Sequence, residues 1–312
     1  MPNCLSWKTW AAALLVFVAG YGTARAAVIP VFVFAGQSNA LARRANYSEL
    51  VGGLSSWTSP QSNVLFAGPQ GEGVSGTPTW QAIQPVNTSL SSFGPELSAG
   101  KAIAQGLNTT IGVTKYAVGS TYLANQSSAN LTWDPNRSGG LYSQMLSRVQ
   151  TSLTQLPIQQ PGKTGQIAGF FWMQGENDAI NAVDANAYQA NLTALIARVR
   201  TDFNDPDLPF IFGQINVSNV PAYMANSGVI RQAQANVAAL DPHAYLVGTD
   251  TFGRVPSDFV HFNTQGVIDL GLGFGNTYLA AVPEPGTLAL IPLGLLLVAG
   301  IRCSTRRQRI AE

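Results

Sequence analysis

Histidine is so scarce in this chain that a catalytic imidazole has only two places to be, His243 and His261. His243 follows Asp241-Pro242, a turn signal ahead of a strand-like run, which assigns it a structural or exposed role. His261 lies in Ser257-Asp258-Phe259-Val260-His261-Phe262-Asn263. Asp258, three residues upstream, is close enough to hydrogen-bond the imidazole, fix its tautomer and stabilise the imidazolium that forms when the ring takes a proton. Such a base can activate a serine hydroxyl, which is a poor nucleophile alone. The candidate is Ser38, in Gly36-Gln37-Ser38-Asn39. Acyl transfer also needs donors aimed at the developing oxyanion. Candidates are the backbone N–H groups of Ser38 and Gly119, where a glycine lets the backbone come close to substrate, and the side-chain amide of Gln174. Read singly, each segment also fits a plain alternative: a polar turn after a core strand, a packed histidine, a turn glycine, a packing amide.

These residues need a scaffold that brings distant segments to one edge. Val31 to Ala35 is an unbroken apolar run stopped by Gly36, the pattern of a strand buried on both faces of a parallel sheet. Further strand-like runs cover Ile111 to Val118, Ile167 to Met173, Pro209 to Ile215 and Ala244 to Val247. Helical spacing covers Pro95 to Leu107, Gly139 to Leu153, Ala185 to Phe203, most of Pro221 to Leu240, and Thr264 to Leu279. The alternation predicts a three-layer α/β/α sandwich with a five-stranded parallel sheet. Ser38, Gly119 and Gln174 each follow the C-terminal end of a predicted strand, where open α/β sheets place their ligands. Ala45 to Phe93, rich in Gly, Ser, Pro and Asn, is expected to form part of the rim over the site. Gly68 to Gly76 lacks the Lys-Ser/Thr of a phosphate loop, so nucleotide binding is not expected.

Charged residues are 11% of the 312, with a formal net charge of +1. A near-neutral chain with no basic run in its body has no electrostatic footprint for nucleic acid. The N-terminus has Lys8, the apolar run Trp10 to Gly20 and Ala24-Arg25-Ala26, the layout of a secretory signal peptide over residues 1–26. At the other end Val282-Pro283-Glu284-Pro285-Gly286 precedes the apolar stretch Leu288 to Ile301 and then Arg302, Arg306, Arg307 and Arg309. That stretch is short for a full span of about 17–25 residues, and the arginines after it would stay on the cytoplasmic side. Order and spacing resemble the PEP-CTERM sorting signal of Gram-negative bacteria. The resemblance implies an exosortase-type partner, transient anchoring in the membrane, and delivery to the cell surface or matrix. The domain between, 27–281, holds neither cysteine; Cys4 and Cys303 lie in the two end segments. A disulfide, a thiolate nucleophile and a Cys-based metal site are therefore not expected there.

Gly36-Gln37-Ser38-Asn39, Phe93-Gly94-Pro95-Glu96-Leu97, Lys115-Tyr116-Ala117-Val118-Gly119, Trp172-Met173-Gln174-Gly175-Glu176-Asn177-Asp178 and Asp258-Phe259-Val260-His261-Phe262 occur in that order. Together they resemble the sequence blocks of the SGNH/GDSL hydrolase superfamily, in particular its sialate O-acetylesterase-like branch, which includes the acetylxylan esterases of carbohydrate esterase family six. The resemblance implies a flavodoxin-like sandwich and a carbohydrate O-acetylesterase that needs no cofactor or metal. It implies Ser38 as nucleophile, His261 as base, and Gly119 and Gln174 completing the oxyanion hole. The acid stays open between Asp258, which fits the D-x-x-H arrangement, and Glu176, which alternatively buttresses the nucleophile loop. Gln37 and Asn39 are read as supports of that loop and Asp178 as structural. Two other functions compete: a catalytically silent carbohydrate-binding protein on the same fold, and a lipase or thioesterase.

Overall fold

The run Ala27–Gly36 becomes the central strand because its apolar side chains find cover on both faces. In the computed structural model, which describes residues 26–68 and 76–282, this strand (β1) pairs in parallel with Ile111–Ala117 on one side and Lys163–Met173 on the other. The remaining strands are Gln61–Gly68 (β2), Thr79–Ile83 (β3), Phe210–Gly213 (β6) and Ala244–Val247 (β7), which makes Ile111–Ala117 β4 and Lys163–Met173 β5. The helices are Ser38–Leu41 (α1), Pro95–Gly106 (α2), Leu141–Gln159 (α3), Ala182–Asp202 (α4), Ser227–Leu240 (α5) and Thr264–Ala281 (α6). The sheet order is β3-β2-β4-β1-β5-β6-β7. Every neighbouring pair is parallel except β2 with β3.

The three layers match expectation, but the strand count is corrected from five to seven. The additional strands, β2 and β3, lie inside Ala45 to Phe93, the segment expected to form part of the rim over the site. Val64 to Ala67 form a buried apolar core, yet Gln61, Ser62 and Asn63 precede them and mask the period-two signal in so short a strand. The antiparallel β3 closes the sheet edge, and its Trp80 indole donates to the Ser152 carbonyl of α3 at 2.8 Å.

Alternation along β1 separates the two faces. Phe32 meets Tyr278 of α6 edge-on, with centroids 4.9 Å apart, and Phe34 stacks on Phe171. Val31 points the other way, toward the site where Leu153 and Leu156 of α3 approach Gly165. A register shift in the β1–β5 ladder between Val31 and Phe32 adjusts the two strands locally. One helical layer is the α2–α6 pair; the other holds α3, α4 and α5, with Tyr142 of α3 donating to Asp202 of α4 at 2.8 Å.

The Phe93–Leu97 and Lys115–Gly119 blocks meet in a buried ion pair. Lys115 Nζ lies 2.7 Å from Glu96 Oε1, with both side chains almost fully enclosed. Gly94 is required beside it, because a Cβ there would run into the Glu96 carboxylate and the Lys115 ammonium. Pro95 then starts α2 at a position whose N–H has no helical acceptor. Removing one partner leaves the other charge buried alone. Lys115→Met is expected to cost about 3–5 kcal/mol in urea unfolding, and the double change Lys115→Met with Glu96→Leu distinctly less.

Candidate active site

The parallel strands carry their following loops to one edge of the sheet, and Ser38 sits there at the first position of α1. The turn out of β1 depends on Gly36, whose φ is 138°, and a Cβ at this point would strike the Met173 carbonyl of the adjacent β5. Gln37 N–H donates to the same carbonyl at 3.0 Å. As the first helical residue, Ser38 has an N–H without an acceptor inside its own helix. The helix lasts one turn, because Ala42 adopts the left-handed conformation with φ 61°.

The loop after β7 delivers His261 to this turn. His261 Nε2 lies 3.0 Å from Ser38 Oγ, and His261 Nδ1 lies 3.0 Å from Asp258 Oδ2. The other Asp258 oxygen accepts the backbone N–H groups of Val260 and His261, each at 3.0 Å. Phe259, with φ 55°, makes the tight turn that aims both donors at one oxygen. Partial burial raises the Asp258 pKa, but the hydrogen bonds and charge of His261 outweigh it and hold the carboxyl below its ordinary value. Arg44 flanks the carboxylate from the solvent side, 3.8 Å from Oδ2.

Asn39 ties three loops together. Its Nδ2 donates to Glu176 Oε1 at 2.6 Å and to the Val260 carbonyl at 3.0 Å, while its Oδ1 accepts the Phe262 N–H at 3.0 Å. Both amide hydrogens and the carbonyl are thus used, one residue from Ser38 and on either side of His261. The Glu176 carboxylate therefore meets Asn39, and it is Asp258 that meets the imidazole. Burial pushes the Glu176 pKa up, against the opposing hydrogen bond from Asn39.

Gln174 stands differently from its expected part as an oxyanion donor. It is fully buried, and its Nε2 is surrounded by three acceptors: Gln37 Oε1 at 3.2 Å, Thr121 O at 3.1 Å and Asp178 Oδ2 at 2.6 Å. Two amide hydrogens shared among three acceptors leave none to aim at substrate. The buried Asp178 carboxylate, also taking the Leu123 and Ala124 N–H groups, holds the amide inward. Gln174 thus braces Gln37 against the loop after β4. Gly119, half-buried, lies in that loop immediately after Val118, whose N–H donates to Gly36 O at 3.1 Å. His243 is elsewhere, at the start of β7, with Nε2 3.4 Å from Asp207.

Two supports carry no mark in the sequence. The Tyr188 hydroxyl of α4 and the Gln234 amide of α5 both donate to the Gln174 carbonyl, at 2.8 and 3.3 Å. Each is a polar residue on the buried side of an amphipathic helix, visible only once the helices are placed. Among the described residues no group of three or more His, Cys, Asp or Glu is arranged to hold a metal ion.

An α/β/α sandwich that sets Ser, His and Asp in hydrogen-bonded sequence at the C-terminal edge of its sheet has the architecture of an ester hydrolase. Residues 28–280 match the family described as carbohydrate esterase, sialic acid-specific acetylesterase, and the chain belongs to that family. It is a carbohydrate esterase, and its family implies an acetylated carbohydrate substrate. A probable carbohydrate esterase of Arabidopsis thaliana is 26% identical over 264 residues, covering 80% of this chain and 90% of the relative. The X-ray structure of that plant protein superposes with a TM-score of 0.61 at 23% identity, covering 80% of this chain and 98% of the other. A carbohydrate acetylesterase from Xanthomonas citri superposes with a TM-score of 0.54 at 17% identity, over 80% of this chain and 56% of that one.

Burial pushes the Asp178 pKa up to about 6, against the pull of Gln174, Leu123 and Ala124. An unfolded aspartate titrates near 3.9, so the folded state holds an extra proton from about pH 4 to 6. Stability from this group is greatest below that window and falls as pH rises through it. The stability lost in Asp178→Asn, measured by urea unfolding against pH, is expected to be largest at and below about pH 4, to shrink between about pH 4 and 6, and to level off above that.

Proposed function

We propose that this enzyme removes O-acetyl groups from polysaccharide or sialic-acid-type sugars by a Ser-His-Asp mechanism. The observation that carries this reading is the His261 ring, held at 3.0 Å from both Ser38 Oγ and Asp258 Oδ2. Ser38 Oγ attacks the acetyl carbonyl as His261 Nε2 takes its proton. Asp258 keeps Nδ1 protonated and stabilises the imidazolium. The Ser38 N–H and the Gly119 backbone stabilise the oxyanion. His261 then protonates the departing sugar oxygen, leaving an acetyl-enzyme. Water, deprotonated by the same imidazole, releases acetate and restores Ser38.

Glu176 acts in this scheme through Asn39, as a support of the nucleophile turn. The acetylxylan esterase branch of carbohydrate esterase family six is the relationship that the five blocks favour. The names of the plant and Xanthomonas relatives agree with a carbohydrate ester as substrate. The esterase domain is assigned to residues 27–281, between an export signal at 1–26 and a sorting segment at 282–312. Residues 1–25 and 283–312 lie outside the described residues. Among the described residues no helix is long and apolar enough to cross a membrane. Delivery to the surface or matrix, with an exosortase-type partner, rests on the order of motifs in those end segments.

Ser38→Ala is expected to lower acetate release from acetylated xylan by about 10⁴-fold or more without unfolding the protein. A fluorophosphonate probe should label the wild-type chain at Ser38; an unlabelled, inactive wild type would instead indicate a silent binding protein. Asp258→Asn should reduce kcat by at least about 10²-fold, and Glu176→Gln by less than about tenfold. Equal losses in the two variants would reverse the assignment of the acid.

A further inference from the structure

Arg44 stands at the end of the Ser38–His261–Asp258 line without being fastened to it. Its Nε lies 3.8 Å from Asp258 Oδ2, the same oxygen that lies 3.0 Å from His261 Nδ1. That separation is too long for a hydrogen bond. The carboxylate already has three partners, the Val260 and His261 N–H groups on one oxygen and the imidazole on the other. Asp258 therefore keeps its position without Arg44. Packing does not explain the arginine either, since its side chain is 45% exposed.

What Arg44 brings is a positive charge at a defined place. The backbone on either side of it is pinned. Arg43 N–H donates to the Ser38 carbonyl at 3.0 Å, Ala45 is fully buried with its N–H on the Ala42 carbonyl, and Asn46 N–H donates to Thr264 Oγ1 at 3.0 Å. One short segment thus carries the nucleophile to one end of the hydrogen-bonded line and a cation to the other. Because guanidinium and imidazole approach the same oxygen, they lie within about 7 Å of each other, inside the screening length of about 8 Å at physiological salt. A cation at that range opposes the imidazolium and competes for the carboxylate that would stabilise it. The other charged groups around the ring are engaged elsewhere. Glu176 meets Asn39, and Arg254 lies over Phe262 and donates to the Thr249 carbonyl and hydroxyl.

We propose that Arg44 is a positioning residue that acts through Asp258 by charge alone, disfavouring the imidazolium so that His261 still serves as a base in mildly acidic solution. This rests on the Ser-His-Asp reading above. The test follows kcat/KM for p-nitrophenyl acetate against pH, at low salt and in 1 M NaCl, for the wild type, Arg44→Gln and Arg44→Lys. At low salt Arg44→Gln is expected to move the acid limb of the profile upward by about half a pH unit, a roughly threefold loss of rate well below the midpoint. Its rate on the alkaline plateau should equal or exceed that of the wild type, because a more basic imidazole takes the Ser38 proton more readily. Arg44→Lys should follow the wild type. In 1 M NaCl, where the screening length is about 3 Å, the Arg44→Gln and wild-type profiles should converge.

A loss of the same size at every pH would overturn the proposal and make Arg44 a structural residue of its turn. An unmoved profile would overturn it as well. So would a shift shared by Arg44→Lys, or one undiminished in 1 M NaCl, since neither is the signature of charge. A wild type that releases no acetate, or whose Ser38→Ala variant is equally active, would overturn the Ser-His-Asp reading itself and the role of Arg44 with it.

Discussion

The contact between Ser38 and His261 joins residues 223 positions apart in the chain, and it depends on Asn39. The buried Asn39 amide spends every hydrogen-bonding atom on the loops it must align: Glu176 after β5, and Val260 and Phe262 astride His261. In the proposed mechanism, a hydroxyl and an imidazole misplaced by 1 Å would no longer exchange a proton efficiently. A short amide inside the turn is well suited to the task, because its planar donors and acceptor reach in fixed directions. The turn that carries Ser38 can sit so close to β5 only because residue 36 has no side chain.

Around that centre the fold pairs several buried charges and polar groups, while Glu96 Oε2, Gln174 Oε1 and Glu176 Oε2 have no hydrogen-bond partner among the described residues. Lys115 and Glu96 join α2 to β4 inside the protein. Asp178 gathers three N–H donors from the loops after β4 and β5. Gln174 links Asp178 to Gln37, the residue before Ser38. Buried polar groups of this kind are costly when a partner is missing and directional when all are present. They therefore restrain the loops at the sheet edge more sharply than apolar packing could. The phenylalanines of β1 and β5, packed on α6, supply the rigid floor beneath them.

Much of this was legible in the residues. Period and composition mark β1, β4, β5, β6 and β7, because strands buried on both faces read as plain apolar runs. Histidine scarcity singles out His261, and the three-residue spacing to Asp258 is short enough for a local turn to join them. The strands β2 and β3 were hidden by their polar flanks, and their burial depends on α3 and β4 lying alongside. The inward turn of Gln174 was also hidden, because a sequence shows an amide but not the acceptors that compete for it.

The sequence by itself determined the layered α/β/α architecture, the order of the loops along the sheet edge, and the chemical types that meet there. Local pattern suffices for these, since strand burial and helix periodicity are written into neighbouring residues. Only the tertiary structure shows which carboxylate hydrogen-bonds His261. Asp258 and Glu176 are both acidic residues near the edge, and the choice turns on the left-handed turn at Phe259 and on Asn39 occupying Glu176. Both are matters of direction over a few ångströms between segments far apart in the chain, and one-dimensional spacing carries no such direction.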